Sequence, residues 1–494
     1  MLNLALASAL ALAPQSTPTD KLPPAPDQST ATESPTTTAR PLTGKGEVGN
    51  GQDAATAFQP GQTQAAPADQ SMVPTGFARF QQQNPIGKTL RKLKTDGIAL
   101  TLDFVDNLAA NPVGGITHGS AESHWVMGAA DIDLGKVVGL SNTHLHVQGA
   151  WFTGNSLGRE SIGNSISFQQ TWRPVSGPRL TQFNIEHDFG RFNLMVGRAA
   201  LNSYFNNSPL NCAFMSNVTC LTTYGGIADI GLTAYPNSSW AAKGRFALTD
   251  RLYVQTGVFD YNTALNAAGK NGLDLSLFKG SGVLIPGEIG YETSFAQERL
   301  PRRYKVGFYI NTDGGTNPYH DVDGNSAALT GLAHAPQHGA RIGLYAMADQ
   351  TVWRAPGKSK RNVALFGRVF GNVGNTAPID WFASAGFVNT GTFKGRDNDT
   401  IGFIVSDTHF GRDEIAFLRD RRAAAGGTGA PKADEIIGEL NYGFAALPGL
   451  RILPNLQYVI NPDPIYAVNR KTDIPDAIVI GLRIDAHLAQ LFGG

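Results

Sequence analysis

The stretch IVIGLRIDAHL near the C-terminus constrains the fold more than any other feature of the sequence. Aliphatic residues occupy alternate positions from Ile478 to Ile484, and Arg483, Asp485 and His487 fall on the other set. Successive side chains of an extended strand point to opposite faces, so one face of this strand is aliphatic and the other becomes charged. The fold must therefore offer an apolar surrounding on one side and a polar one on the other.

Stretches of the same kind recur from Gly97 to the C-terminus. The clearest are GIALTLDFVDNL, HWVMGAADIDL, THLHVQGAWF, RLTQFNIEHDF, RFNLMVGRA, RLYVQTGVFDY, RRYKVGFYINT, GARIGLYAMAD, NVALFGRVFG, DTIGFIVSD, DEIIGELNYGF, LRILPNLQYVI and IVIGLRIDAHL. Weaker candidates lie near 240–248, 280–293 and 380–389. They bring the total to about sixteen, an even number within the range of bacterial outer-membrane barrels.

The connections between these strands alternate in length. Short links are LGKVVGLSN, Phe189–Gly190–Arg191, Leu248–Thr249–Asp250 and Ala446–Leu447–Pro448–Gly449. Long links are 153–177, 199–238, 261–279, 313–337 and 409–432. One-sided burial in a soluble sandwich also gives alternating strands, but it does not require this rhythm. A membrane barrel produces this alternation, because its periplasmic turns are short and its outer loops are long. We therefore predict a closed antiparallel transmembrane β-barrel of about 16 strands over 96–494.

The two faces of the predicted wall differ in chemistry. The outward parity is aliphatic and aromatic, for example Leu145, Val147 and Trp151, whereas the inward parity carries charges of both signs and many amides. Only 16% of the residues are charged, below the quarter or so that soluble proteins carry, so a polar inner face indicates a wide, water-filled lumen. The residues predicted to line it are His146, Glu186, Arg341, Arg368, Glu439, Arg483 and Asp485.

The N-terminal part differs from the barrel region. Residues 1–13 are apolar and end in an A-x-A pattern, which predicts a signal peptide even though a basic beginning is missing. Residues 14–74 are rich in Pro, Thr and Gln and are predicted to be a disordered leader. Residues 75–95 mix basic and apolar positions and suggest a periplasmic arm or short helix. The formal net charge of zero gives no reason to expect a nucleic-acid partner.

The two cysteines, Cys212 and Cys220, lie close together in one long loop. After export to an oxidising compartment, such a close pair is expected to form a disulfide that staples the loop. A metal pair or two inert thiols are the alternatives, and metal binding lacks a further ligand at suitable spacing.

Three short motifs suggest other chemistry and are given structural interpretations. GNSLG at 154–158 matches the nucleophile elbow of hydrolases, but a polar, glycine-rich loop follows it, so we expect no enzyme activity. His144 and His146 share a strand face without a third ligand, so we expect lumen-lining histidines. DVDGN at 321–325 is a fragment of a calcium-loop pattern that lacks the closing Glu. We predict neither a cofactor nor a metal. We also predict a short loop helix at 414–425.

Four segments together resemble the carbohydrate-selective, OprB-like porins of Gram-negative bacteria. They are NPVGG (111–115), GAADIDLGKVVGL (128–140), VGR (196–198) and FNNSPLNCAFMSNVTC. The resemblance spans roughly 90–490 and implies passive diffusion of glucose and related sugars across the outer membrane, past inward-folded loops that narrow the channel. The chain departs from one barrel habit, because Phe492 is followed by Gly493 and Gly494 instead of ending the chain on an aromatic residue.

A sugar-selective constriction needs paired hydrogen-bond donors and acceptors together with an aromatic surface. The candidates come from the long links 153–177 and 199–238 and from the end of the strand that leads into the latter. They are Arg159, Glu160, Trp172, Arg173, Arg198, Asn202, Tyr204 and Phe205. The expected partners are monosaccharides or small oligosaccharides, outer-membrane lipid and lipopolysaccharide, and the barrel-insertion machinery, with further copies of the chain as a candidate partner. A general or non-conducting barrel that serves adhesion or structure, and a barrel-embedded hydrolase, are the alternatives.

Overall fold

The structure is a computed structural model. It describes residues 75–494, apart from 175, 221–225, 227–229, 232–233, 263–268, 278–279, 281, 358 and 375. The predicted signal peptide and leader lie outside the described residues and stay predictions. The side chains of Cys212 and Cys220 also lie outside the described part of the chain, so the disulfide stays a prediction too.

Antiparallel strands dominate the described chain. They are β1 (Ile98–Val113), β2 (Gly119–Asp133), β3 (Thr143–Gly154), β4 (Gly177–Phe189), β5 (Phe192–Ala199), β6 (Ser239–Ala247), β7 (Leu252–Tyr261), β8 (Gly282–Glu292), β9 (Arg302–Asn311), β10 (Thr316–Asp321), β11 (His334–Pro336), β12 (Arg341–Arg354), β13 (Asn362–Val373), β14 (Ile379–Thr390), β15 (Thr400–Phe410), β16 (Asp434–Leu447), β17 (Leu450–Ile460) and β18 (Ala477–His487).

Sixteen of these strands close into one barrel, in which each strand pairs with its neighbours in sequence. The exceptions are β10 and β11, which form a separate two-stranded sheet inside the loop between β9 and β12. The barrel closes where β1 pairs with β18, in a register that places Asp103 opposite His487. Closure leaves no free sheet edge, so the wall satisfies its own backbone hydrogen bonds. The predicted closed barrel is confirmed, including the three strands that had weaker patterns.

The connections alternate as predicted. At one end of the barrel the links are short, and Gly190 and Gly449 take positive φ values of 79° and 83° in the two tightest turns. At the other end lie the long loops, to which 461–476 must be added. Two links at the long-loop end, 114–118 and 374–378, are short, so the alternation is strong without being strict.

Several short helices are not part of the wall itself. They are α1 (Thr75–Gln83), α2 (Pro85–Thr95), α3 (Leu134–Val138), α4 (Asn217–Cys220), α5 (Ala327–Thr330), α6 (Arg412–Ala424) and α7 (Leu488–Leu491), with a π-helical turn at Gly158–Ile162 and 3₁₀ turns at Leu201–Ser203, Pro209–Ala213 and Ile465–Ala467. Across the described residues, every helix is too short or too polar to cross a membrane. Helix α6 lies where the loop helix was predicted.

The arm at 75–95 is a pair of helices rather than one. Pro85 begins α2 instead of breaking it, because a proline at the first helical position sacrifices no hydrogen bond. The Asn84 side chain caps the helix by accepting hydrogen bonds from the amides of Ile86 and Gly87. The arm contacts the C-terminus, where Phe80 and Phe492 have ring centroids 6.3 Å apart.

The two faces of the wall follow the predicted parity. Outward side chains such as Trp151 and Val306 are each 58% exposed. On the opposite parity Arg483, Asp485 and His487 are all buried inside the barrel. Lipid can cover the outward side chains. The inward side chains are too buried to face an open lumen, so other parts of the protein must cover them.

Candidate functional site

The first inward loop, residues 155–176, covers the inner face around the closing strands. The Gln169 side chain donates to the Asn107 carbonyl of β1 (3.0 Å), and the Thr171 hydroxyl donates to the Ser123 carbonyl of β2 (2.7 Å). From β17, the Gln457 side chain donates to a carbonyl of the same loop (3.1 Å). The polar groups of the wall thus receive loop backbone and amide partners.

The second inward loop, residues 200–238, is anchored to β16 and β18 by its backbone. Glu439 accepts hydrogen bonds from the amides of Met215 (2.7 Å) and Ser216 (2.8 Å). Arg483 donates to the carbonyl of Phe214 (3.1 Å). A carboxylate that accepts two backbone amides makes strong, charge-assisted hydrogen bonds, so this end of the loop is held firmly.

The same loop reaches the other side of the barrel several residues earlier. The amide of Asn206 donates to Glu288 on β8 (2.8 Å), and the Ser208 hydroxyl donates to Asp349 on β12 (2.7 Å). Strands β13, β14 and β15 separate these anchors from those on β16 and β18. The described part of the second inward loop therefore passes inside the barrel from β8 and β12 to β16 and β18, and it narrows the channel.

Between this crossing and the short-turn end of the barrel lies a group of inward-facing charged residues, which we call the charged ladder. It consists of Arg245, Glu288, Glu292, Arg303, Lys305 and Asp349. Three cations and three carboxylates balance in formal charge. The ladder occupies neighbouring strands from β6 to β12, on the short-turn side of the second inward loop.

Ion pairs connect the members of the ladder. Glu292 lies 3.0 Å from Arg303 Nε and 3.0 Å from Lys305 Nζ, and Arg303 also pairs with Asp349 at 3.1 Å. The Glu292 side chain retains 26% of its exposure, more than its three ion-pair partners Arg245, Arg303 and Lys305. The ladder thus presents paired donors and acceptors without net charge, next to a partly accessible carboxylate.

An aromatic surface adjoins the ladder. The Arg245 guanidinium lies over the Tyr253 ring, 3.7 Å from its centroid. The Tyr253 hydroxyl donates to Glu288 (2.8 Å), which fixes the ring against the wall. Planar guanidinium groups beside carboxylates and a tyrosine match the hydroxyls and the C–H face of a neutral polyol.

Comparison with known proteins identifies the architecture. The family model described as "Carbohydrate-selective porin, OprB family" matches residues 117–488. This chain belongs to the OprB family of carbohydrate-selective porins. Porin B of Pseudomonas aeruginosa is 27% identical to it over 413 residues, 80% of this chain and 88% of that protein. The structure of Pseudomonas putida OprB at high pH is 28% identical, with a TM-score of 0.73 and coverage of 81% and 97%.

A second relative, a protein named "Putative porin QuiX" from Acinetobacter baylyi, is 23% identical over 419 residues, 80% of this chain and 90% of that protein. Family and fold place the porin in the outer membrane of a Gram-negative bacterium. The long loops therefore lie at the outer end of the barrel and the short turns at the periplasmic end.

The predicted constriction residues do not form one cluster. Arg159 and Glu160, on the π-helical turn of the first inward loop, keep access to solvent. Arg159 lies over the ring of Tyr466, 4.8 Å from its centroid, in the loop before β18. These two residues belong to the outer part of the channel.

Three other predicted constriction residues, Trp172, Arg173 and Arg198, are buried in the protein and do not face the channel. Trp172 and Arg173 are buried, and Arg173 donates to carbonyls of its own loop. Arg198 is fully buried and donates to the backbone carbonyls of Asp274 (2.6 Å) and Ser238 (2.5 Å). These guanidinium groups hold loops in place, so their contribution to the channel is through its shape.

The last three predicted residues lie where the second inward loop enters the barrel. Asn202 and Phe205 are buried, and Phe205 packs edge-on against Phe259 of β7 at 6.2 Å. Tyr204 lies beneath Lys243, whose Nζ is 4.6 Å from the ring centroid. Tyr204 and Phe205 anchor the loop to β6 and β7, whereas Asn202 accepts a hydrogen bond from the amide of Tyr235 (3.0 Å) within the loop.

The residues predicted to line the lumen all face inward and are all buried: His146, Glu186, Arg341, Arg368, Glu439, Arg483 and Asp485. Loop backbone covers Glu439 and Arg483. The expectation that lumen water satisfies this face is therefore too simple, because a loop that folds inward offers the same donors and acceptors as water.

Sequence reasoning overlooked most of the charged ladder. The signal was present, because Glu288 and Glu292 in GEIGYE share one parity, as do Arg303 and Lys305 in RRYKVGFYINT. Placing Arg303 opposite both Glu292 and Asp349 required the register of three strands. That register could not be read from the separate stretches.

The other motifs have structural roles. Ser156 of GNSLG is buried, and its hydroxyl accepts a hydrogen bond from the amide of Arg159 (3.3 Å). Strand β3 does precede it and a π-helical turn follows, contrary to the expected irregular loop. Asp321 of DVDGN accepts hydrogen bonds from the amides of Asp323 and Asn325 within its own turn. The rings of His144 and His146 stack beside Asp131.

Buried acids meet where three outer loops converge. Asp463 accepts hydrogen bonds from the amide (2.9 Å) and the hydroxyl (2.8 Å) of Ser165, and its own amide donates to Glu435 (2.6 Å). Burial, together with the nearby Asp463, raises the pKa of Glu414 on α6 to about 8. Burial also raises the pKa of Asp463. The packing of these loops therefore favours the protonated forms of Glu414 and Asp463.

Proposed function

We propose that the porin passes glucose-like sugars along the charged ladder, beneath the crossing of the second inward loop. The observation that carries this proposal is the balance of the ladder. Three cations and three carboxylates, paired at 3.0 to 3.1 Å around Glu292, Arg303 and Lys305, give bidentate hydrogen bonding without a field that selects ions. Sugar affinity is weak, since a channel must release what it binds.

Arg159 and Glu160 serve as an outer contact on the same path, because both keep access to solvent. The buried candidates act by holding the loops. Transport is passive and involves no catalysis. Association into oligomers, lipopolysaccharide contacts and recognition by the insertion machinery stay predictions from the sequence.

Liposome swelling with glucose, sucrose and sodium chloride tests the proposal. Glucose influx faster than size alone allows supports a sugar-selective path. Glu292→Gln keeps the shape but removes the charge that organises Arg303 and Lys305, so glucose influx should fall about threefold to tenfold, the range of one hydrogen bond's contribution. Chloride influx should rise relative to sodium.

A neighbouring arginine provides the matched control. Arg302 precedes Arg303 on β9 but points to the other face and pairs with Glu298 in a periplasmic turn. Arg303→Ala should reduce glucose influx, and Arg302→Ala should leave it unchanged. Equal influx in both variants would remove the ladder from the path.

A non-conducting barrel is the second candidate, favoured by how completely the two loops bury the inner face. It predicts no swelling in any solute. Any saturable glucose influx rejects it.

A further inference from the structure

One cluster on the outward face of the porin consists of charged residues at positions where aliphatic ones are expected. Asp106 on β1 shares its parity with the exposed Leu102 and Leu108, and it lies directly opposite His124 on β2. Glu122, two residues before His124, has the same outward parity. Charged groups on a lipid-facing wall are unfavourable unless they are paired or bind an ion.

These three side chains converge. One ligand atom from each of Asp106, Glu122 and His124 lies within 4.8 Å of the other two. His124 Nδ1 is 2.5 Å from Glu122 Oε1. Asp106 Oδ1 is buried and lacks a hydrogen-bond partner. Asp106 and Glu122 lie within hydrogen-bonding reach of each other, so two carboxylates face each other while Asp106 Oδ1 has no donor.

The register places the cluster near the outer membrane surface. Trp151 of β3, highly exposed, lies opposite Val126, and His124 is one outward position closer to the outer loops, opposite Thr153. Exposed tryptophans mark the membrane–water interface of such barrels. A cation can reach this level from the aqueous phase.

We propose that Asp106, Glu122 and His124 form a binding site for a divalent transition-metal cation of the Zn²⁺ class. One imidazole nitrogen and two carboxylate oxygens are the ligand set that such ions accept, and an oxygen from outside the chain completes the coordination. The bound ion neutralises the two carboxylates and satisfies Asp106 Oδ1. This site lies outside the channel and goes beyond sugar transport.

A second outward histidine supplies an internal control. His409 on β15 lies 2.5 Å from Asp434 and stacks on Trp381 with 5.2 Å between ring centroids. Among the described residues, Asp106, Glu122 and His124 are the one group of three whose ligand atoms converge. Asp407 has the same outward parity and lies near both groups, but among the described residues the ligand atoms of Asp407, His409 and Asp434 do not converge as those of the proposed site do.

The test uses the full-length porin in detergent, stripped with EDTA and titrated with Zn²⁺ by calorimetry. One equivalent should bind, and His124→Ala and Asp106→Asn should each weaken binding by at least about tenfold. His409→Ala should bind as the unmodified porin does. Co²⁺ should give the visible absorption of a low-coordinate nitrogen–oxygen site, which disappears in His124→Ala.

Two further measurements complete the test: the folding of the variant and the choice of cation. Glucose influx in liposomes, unchanged in His124→Ala, shows that the variant is folded, and His124→Gln replaces it if it is not. Absence of saturable Zn²⁺ binding, binding that survives His124→Ala, or equal affinity for Ca²⁺ would overturn the proposal.

Discussion

The two faces of the barrel wall share one sequence period but reach stability in opposite ways. Outward side chains such as Val306 and Leu344 are exposed to the hydrocarbon that will surround them. Inward side chains such as Glu439 and Gln457 are as buried as a protein core, although they are polar. The outer face needs only an apolar solvent, whereas the inner face needs specific partners at specific positions, which the inward loops provide.

The inner face is the place where a single change should do most damage. Glu439→Ala leaves the amides of Met215 and Ser216 without their acceptor inside the barrel. Each unsatisfied buried donor costs about 1–3 kcal/mol, so for two donors we expect a loss of about 2–6 kcal/mol in the free energy of loop docking. Hydrogen exchange at 213–218 and sodium chloride conductance should both rise.

Glu439→Gln is the matched control for that change. It keeps an acceptor oxygen for one of the two amides, so exchange should lie between the unmodified porin and Glu439→Ala. If exchange at 213–218 is the same in all three proteins, the carboxylate does not hold the loop.

The outer face should respond to charge instead of to lost hydrogen bonds. Val306→Arg places a cation on the exposed lipid-facing side of β9, and such substitutions cost about 2–4 kcal/mol near the bilayer centre. Reversible folding into lipid vesicles measures this difference. Val306→Leu should fold as the unmodified porin does, and a Val306→Arg variant of undiminished stability would place this position away from the hydrocarbon.

A third prediction concerns the acids where the outer loops close over the inner face. Because the pKa of Glu414 is raised to about 8 from an ordinary 4.5, its packing is most favourable below about pH 4.5 and is lost as the pH rises through 8. Hydrogen exchange in α6, corrected for the intrinsic pH dependence, should increase between pH 6 and 9.

Glu414→Gln removes that ionisation while it keeps the size of the side chain. Exchange in α6 should then depend much less on pH, with the remainder due to Asp463, whose pKa is also raised. A pH dependence as steep as in the unmodified porin would exclude Glu414 as its source.

The fold could be predicted from the sequence much further than the site could. Strand parity is a local property, so IVIGLRIDAHL alone placed Arg483 and Asp485 on the inner side. The partners of these residues are not local, because Arg483 donates to Phe214, more than two hundred residues earlier in the chain. The candidates in the loops, such as Arg198, had the right residue types, but which of them face a channel depends on how the loop packs.

The smallest effect is expected outside both faces, in the arm at the periplasmic end. Phe80 contacts Phe492 at 6.3 Å but remains 45% exposed, and the Gln81 side chain adds a hydrogen bond to the carbonyl of Gln490 (2.7 Å). Phe80→Ala removes one half-exposed aromatic contact, which is worth about 0.5–1.5 kcal/mol. Exchange of the 488–494 amides should rise slightly, while glucose influx and barrel stability stay constant. Arg79→Ala, on the exposed side of the same helix, should change none of these, and a barrel that unfolds more readily in Phe80→Ala would show that the arm secures the β1–β18 closure.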